Sequence, residues 1–322
     1  MTKNSTMHCL SSQINIASIL PPALIIEFLL GIPGNAIALW VFCFRMKVWR
    51  PSTVYLLNLV LADFLLILCL PFRIDNLLRG EHWVFGDPLC RINLFMLAAN
   101  RSASISFMTV VAAERYFKIV HPHRRINRLS VKQASMMSCG VWVLILSLRI
   151  PLLTSQLLQE HNGTFLCRSF SSYSMIPTGI LLHYFLYVVE FFLPFSVLLF
   201  CTLRITWVLK HRSMNRDRKI RNAIRVVSVI MLVFALCFGP GIVTGLTTLL
   251  IKQLSPGDCV SFRLASECFS ASIAFTYLNS VLDPLIYCFS CTMFRNTLKK
   301  SISYLGLCQL EESRRGSVTS VT

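Results

Sequence analysis

The chain has 322 residues, 55% of them hydrophobic and only 14% charged, whereas a soluble domain carries about a quarter charged residues. Its net charge of +17 would suit a nucleic-acid binder, but the positive residues are segregated by loop, without the interleaved aromatics and polar surface of a nucleic-acid groove. Length alone would allow two soluble domains, yet the apolar runs are too long and too many for a soluble core.

Residues 1–19 form a mixed polar tail, read as extracellular, with the sequon Asn4-Ser5-Thr6 and Cys9. It lacks the basic, apolar and small-residue order of a cleaved leader, so the first apolar run reads as a retained span. Crossing a bilayer core of about 30 Å takes about 20 apolar helical residues. Seven segments qualify: 20–44, 52–76, 89–117, 133–154, 178–206, 222–250 and 265–290. Pro33, Pro71, Pro194, Pro240 and Pro284 fall inside them, which a helix bundle in lipid tolerates. Residues 292–304 alternate apolar and basic at near-helical spacing, so 291–305 reads as an amphipathic helix on the inner leaflet. Residues 306–322 form a cytoplasmic tail, in which Cys308 is a palmitoylation candidate or a free thiol. The run Arg314-Arg315-Gly316-Ser317 resembles a basic-directed kinase site. Phosphate on Ser313, Ser317, Thr319, Ser320 or Thr322 would suit an arrestin-like partner; the alternative is an inert solvated tail. The expected fold is all-α and membrane-embedded, a seven-helix bundle (20–290) with a short amphipathic eighth helix.

Orientation follows from Lys and Arg. They crowd 45–50, the segment after the third span (Lys118 to Lys132), the segment between spans five and six (Lys210 to Arg225) and the tail, and are sparse in the alternate loops. The N-terminus is therefore expected outside. Asn4 and Asn162, the two sequon asparagines, fall on that side, and so do Cys9, Cys90, Cys167 and Cys259, where disulfides persist.

Ionisable groups within a span are expensive and are functional candidates by default. One polar signature falls in nearly every span: Gly34-Asn35, Asp63, Glu114-Arg115-Tyr116, Trp142, Cys237-Phe238-Gly239-Pro240 and Asp283-Pro284-Leu285-Ile286-Tyr287. Arg101 lies fourteen residues before Arg115, about 21 Å up the same helix and on the same inward face. No acid lies within a turn of it on its own helix. A planar guanidinium matches a carboxylate bidentately, so Arg101 reads as a socket for an anionic ligand. The alternative is a structural pair with Glu190 or Glu267. Leu97 stands where an amine receptor needs an acid, and no Lys lies between Arg263 and Arg295 for a retinal Schiff base. A carboxylate transporter would show internal repeats, and none is visible. No paired carboxylates, metal cluster or nucleophile–base set suggests an enzyme.

The signatures, in this order and with Cys90 just outside the third span, resemble the rhodopsin-like (class A) G-protein-coupled receptors over residues 20–305. The resemblance implies that Arg115, within Glu114-Arg115-Tyr116, engages the G protein when the sixth helix swings out, and that Tyr287 helps hold that state. It also implies a Cys90–Cys167 disulfide and a pocket for a modulating sodium ion lined by Asp63, Ser104, Asn279 and Asp283, with Asn100 nearby. The chain departs from the pattern with Glu114, with Asp283, and with Phe238 where Trp is usual.

The stretch Arg79-Gly80-Glu81-His82-Trp83-Val84-Phe85-Gly86-Asp87 narrows the resemblance, as do Cys90 through Ser102, His121-Pro122-His123 and Phe275-Thr276-Tyr277-Leu278-Asn279-Ser280. These are similar to the hydroxycarboxylic acid receptors and the oxoeicosanoid receptor. By that resemblance Arg101 binds the ligand carboxylate, Tyr277, Ser169 and Trp83 line the site, and Cys9–Cys259 ties the tail to the third outer loop. A further tail-to-loop bridge of that branch would be missing, since Tyr173 stands at its position. Arg73 resembles the oxoeicosanoid side, and Arg149 adds a third cation. The implied function is a plasma-membrane receptor for a hydroxy acid or an oxidised fatty acid, coupled to inhibitory G proteins that lower cyclic AMP. The rival reading is a receptor of the same fold for a peptide or another lipid, with Arg101 structural.

Overall fold

Helix signals in the sequence become helix ends in the computed structural model, which describes residues 14–161, 163–168, 178–211, 218–255 and 257–304. Helix α1 (Ile14–Trp40) runs into a π-helical turn at Val41–Arg45. Helix α2 (Pro51–Leu78) opens on Pro51, whose missing N–H costs nothing at a first helical position. Helix α3 spans Gly86–Val120, and α4 spans Val131–Thr154. Ser130 caps α4 reciprocally with Gln133. A hairpin, β1 (Leu158–His161) with β2 (Thr164–Cys167), separates α4 from α5 (Thr178–His211). Helices α6 (Arg218–Leu254), α7 (Cys259–Ser290) and α8 (Thr292–Tyr304) follow. Asp258 caps α7 by accepting from the Ser261 amide at 3.0 Å, and the Ser261 hydroxyl and amide hold its carboxyl below the usual range.

Six helices are apolar and long enough to span a bilayer by composition alone. Helix α7 is the seventh, and it is less apolar because it carries a polar inner face: Ser266, Ser270, Ser272, Asn279, Ser280 and Asp283 are all buried. The bundle is inverted relative to a soluble core. Leu29, Leu193, Leu203 and Leu250 face outward, while Asp63, Asn279 and Asp283 are fully enclosed. Polar staples join the helices where lipid offers no partner. Asn35 Nδ2 donates to the Ser280 carbonyl at 2.7 Å, tying α1 to α7, and Trp142 Nε1 donates to Asn58 Oδ1 at 2.8 Å, tying α4 to α2.

Most helices run past the apolar segments that predict them. Helix α5 continues to His211 and α6 begins at Arg218, because basic side chains prolong a helix beyond the lipid while apolar content marks only the part inside it. The hairpin goes beyond what the apolar runs predict, since in sequence the Asn162-Gly163 pair stands out only as part of a sequon. Gly163 has φ 76°, the left-handed turn conformation that an Asn-Gly pair supplies to hairpins. Residue Asn162 itself lies outside the described residues, as do Asn4, Cys9, Ser169, Cys308 and the tail phosphate acceptors.

Candidate ligand site and signalling core

At the end of the bundle that carries the hairpin, α2, α3, α4, α5, α6 and α7 surround a cavity of about 80 Å³. Of the residues expected there, Arg73, Leu97, Arg101, Arg149 and Tyr277 line it. Trp83 does not. Its indole N–H donates to the Gly86 carbonyl at 2.8 Å, and its ring packs edge-on against Phe85, in the cluster around Cys90 and Cys167. It braces the hairpin end from behind the cavity wall, in one cluster with the lining residues Ala98, Cys167 and Phe269.

Arg101 is buried, and its Nη2 has no hydrogen-bond partner. The guanidinium carbon lies 3.7 Å from the centre of the Tyr187 ring and 5.8 Å from that of Phe238. Aromatic faces hold the cation by cation–π attraction but leave its fork unfilled. Neither structural pair considered from sequence forms. Glu190 Oε2 instead takes Arg149 Nη2 at 2.5 Å. Ser102 Oγ stands between them, accepting from Arg149 at 2.8 Å and lying 2.9 Å from Glu190 Oε1. Arg149 Nη1 is 2.8 Å from His183 Nδ1; a guanidinium only donates, so that nitrogen accepts and the ring proton sits on Nε2.

Arg149 therefore lines the cavity with its charge already balanced. Arg168, beside Cys167, also lines it and is ion-paired with Glu81. Sequence reading missed Arg168, although its place next to Cys167 was a usable signal. Of four lining arginines, Arg73 and Arg101 are the two outside any ion pair among the described residues.

Deeper in the bundle, Asp63 gathers most of the residues expected around it. Its Oδ1 accepts from Asn100 at 3.3 Å, Ser104 at 3.4 Å and Ser280 at 2.9 Å. Its Oδ2 accepts from the Tyr287 hydroxyl at 2.9 Å. Asn279 Nδ2 donates to Asp283 Oδ2 at 3.0 Å. Ser280 was missed, since serine in a helix ordinarily bonds its own backbone. Asn100 Oδ1, Asn279 Oδ1 and Asp283 Oδ1 are buried without partners. Two carboxylates plus unfilled neutral oxygens fit a hard cation. Among the described residues no group of three His, Cys, Asp or Glu side chains suits another metal. Glu27 of α1 was also missed; it is buried with Oε2 unpartnered.

At the opposite end from the hairpin, Glu114 pairs with Lys118 at 2.5 Å, not with its neighbour Arg115. Arg115 is free to cross the bundle, and its Nη2 donates to the Ser290 carbonyl at the end of α7 at 2.6 Å. Tyr116 bonds His121 through its hydroxyl at 3.1 Å. Tyr287 belongs to the Asp63 cluster in this conformation. The Cys90–Cys167 disulfide is present, and Cys259 is disulfide-bonded too.

The model of the rhodopsin family of seven-transmembrane receptors matches residues 34–287. The chain is 43% identical to human hydroxycarboxylic acid receptor 2 over 282 residues, 87% of this chain and 77% of that protein. It is 40% identical to human hydroxycarboxylic acid receptor 1 over 302 residues, covering 94% and 84%. Human oxoeicosanoid receptor 1 is 39% identical over 312 residues, covering 97% and 78%. A match across the whole bundle with these relatives describes a multi-pass membrane receptor and not an enzyme: the chain belongs to the rhodopsin-family G-protein-coupled receptors, in the hydroxycarboxylic acid and oxoeicosanoid receptor branch.

Proposed function

We propose that the protein is a plasma-membrane receptor for a carboxylic acid, a hydroxy acid or an oxidised fatty acid, which signals through inhibitory G proteins to lower cyclic AMP. The observation that carries this reading is the buried, unfilled Nη2 of Arg101 in the cavity wall, with Glu190 already committed to Arg149. The names of the relatives point to the same ligand class. A carboxylate seated on Arg101 would complete its fork, with the Tyr277 hydroxyl at hand in the same wall. Arg73 supplies a second cation for a longer or more polar acid, and Ser169 would close the site from the outer loop. Peptide recognition is less well supported, because a cavity of about 80 Å³ with two unbalanced cations suits a small anion.

The route to the cytoplasm starts at the same arginine. Arg101 lies over Tyr187 of α5 and Phe238 of α6, and Phe238 meets Phe234, which stacks on Phe191 at 5.3 Å between ring centres. A ligand that repositions Arg101 thereby acts on α6 through Phe238, two residues before Pro240. It shifts the bundle toward the G-protein-binding state only by binding that state more tightly. Arg115 would leave the α7 carbonyl to meet the G protein. The Asp63 cluster would hold a sodium ion through Asp63, Asp283, Ser104, Asn100 and Asn279. That ion would supply a positive charge between two buried carboxylates. An outside N-terminus rests on the Lys and Arg asymmetry. Glycosylation at Asn4 and Asn162, palmitoylation at Cys308 and an arrestin-like partner for the phosphorylated tail complete the reading.

The test is Arg101→Ala in cells reporting cyclic AMP against a panel of carboxylic acids. Truncating one partner of a buried charge pair costs about 2–5 kcal/mol, so potency should fall at least about 30-fold with surface expression intact. A methyl ester of the active acid should also fail. An unchanged dose–response in Arg101→Ala would sink the assignment.

A further inference from the structure

The bundle has a second cationic cavity, at its cytoplasmic end. Arg221, Asn222 and Arg225 of α6 and Arg295 of α8 line a space of about 310 Å³. Arg221 and Arg225 are exposed, and Arg295 is half-buried. No ion pair among the described residues involves them. Three guanidinium groups facing one space repel each other. The position adds to the cost. A helix N-terminus carries about half a positive charge and favours acids, yet α6 has none in its first turn. The single acid nearby, Asp217, stands among Arg216, Arg218, Lys219 and Arg221. Charge is thus concentrated where helix physics disfavours it, across two helices rather than one.

Helix α8 supplies a second and independent observation. It turns Phe294 toward the core beside Phe42 and Tyr287 and leaves Lys299 and Lys300 exposed. A basic amphipathic helix of this kind lies at the boundary of headgroups and acyl chains. The cavity is therefore at the depth of the inner-leaflet headgroups, where anionic lipid is concentrated.

The geometry points to a headgroup site: the α6–α8 cleft binds the phosphates of a polyphosphorylated anionic phospholipid of the inner leaflet. Guanidinium forks match phosphate oxygens bidentately, and the Asn222 amide both donates and accepts toward a ring hydroxyl. The chain's own tail is a poorer occupant, because Glu311 and Glu312 are offset by Arg314 and Arg315. A headgroup bridging Arg221 and Arg225 to Arg295 ties the inner end of α6 to α8, so lipid composition would bias the helix whose movement transmits the signal. This site is separate from the carboxylate cavity and does not depend on that ligand reading.

Equilibrium binding of short-chain phosphatidylinositol 4,5-bisphosphate to the purified full chain in detergent micelles tests it. The triple variant Arg221→Gln, Arg225→Gln, Arg295→Gln should bind at least about tenfold more weakly, as loss of three charge-assisted contacts requires. The exposed pair Lys299→Gln, Lys300→Gln should change binding less than about twofold. Single Arg295→Gln, checked for an unchanged thermal midpoint, should weaken binding measurably and keeps the test valid where the triple variant is unfolded. Equal losses in the triple variant and the lysine pair would reveal unspecific attraction and overturn the site. Free inositol trisphosphate binding as tightly as the lipid would overturn the lipid source. Lipid binding only after truncation beyond Cys308 would make the tail the occupant and overturn the proposal.

Discussion

Arg101 was legible because of what surrounds it in the sequence: an inward-facing cation in a span with no acid within a turn. Its partner was not legible. Glu190 sits on α5, and whether it meets Arg101 or Arg149 depends on how α3, α4 and α5 are rotated against one another, which periodicity along one helix cannot give. The structure resolves the choice in favour of Arg149, leaving the fork of Arg101 open. That assignment has a consequence for stability. Removing one partner of a buried ion pair costs about 3–5 kcal/mol, because the other charge is left uncompensated. Glu190→Gln should therefore lower the thermal midpoint in detergent and reduce surface expression, and adding Arg149→Met should recover most of the loss. If Glu190→Gln alone is as stable as the wild type, the pair does not form. The Asp63 cluster gives a second expectation at this scale. Raising sodium chloride against a choline chloride control should weaken agonist potency in the wild type, and Asp63→Asn should remove that dependence.

Helix positions were readable to within a few residues, since each span is an apolar run. The close approaches between helices were not, because a pair of small residues does not say which neighbouring helix or side chain it will meet. Helices α6 and α7 pack along a face of α6 that holds Gly241 and Gly245, four residues apart, the small-residue spacing that lets membrane helices approach. A Cβ on Gly241 would meet the Tyr187 hydroxyl at 2.7 Å, and one on Gly245 would meet the Phe269 ring at 3.2 Å. Tyr187 is the ring beneath Arg101. Gly241→Ala should push that ring aside and weaken the response to the carboxylic acid about tenfold, the effect of about 1.4 kcal/mol. Gly239 is its internal control: nothing lies within 4 Å of a Cβ there, so Gly239→Ala should leave the dose–response unchanged. Equal effects from the two alanines would mean that α6 helicity, not the contact with Tyr187, is what matters.

At the scale of the whole molecule, the two ends of the bundle are held by different means. The end opposite the hairpin relies on helix packing and single hydrogen bonds such as Arg115 to Ser290, which a moving α6 or α7 can break. The end with the cavity is cross-linked. Cys167 ties β2 to the start of α3, the Trp83 amide donates to the Phe165 carbonyl at 2.8 Å, and Arg168 pairs with Glu81. Glu81 and Gly80 both have positive φ, 68° and 66°, a backbone conformation held in place by these neighbours. The hairpin is thus a fixed wall whose last residues, Cys167 and Arg168, line the cavity. The two anchors should separate experimentally. A disulfide closing a loop of 77 residues restricts the unfolded chain by about 4–5 kcal/mol, so Cys167→Ser should remove most receptor from the cell surface. Arg168→Gln keeps that bond and loosens only the contact with Glu81. It should reach the surface at near-normal levels yet respond to the acid with reduced potency, because the wall beside the unfilled fork of Arg101 is no longer fixed. Surface labelling together with cyclic AMP dose–response curves reads both arms. Loss of expression in Arg168→Gln as severe as in Cys167→Ser would mean the ion pair is part of what folds the hairpin end, and that its place in the cavity wall is incidental to ligand recognition.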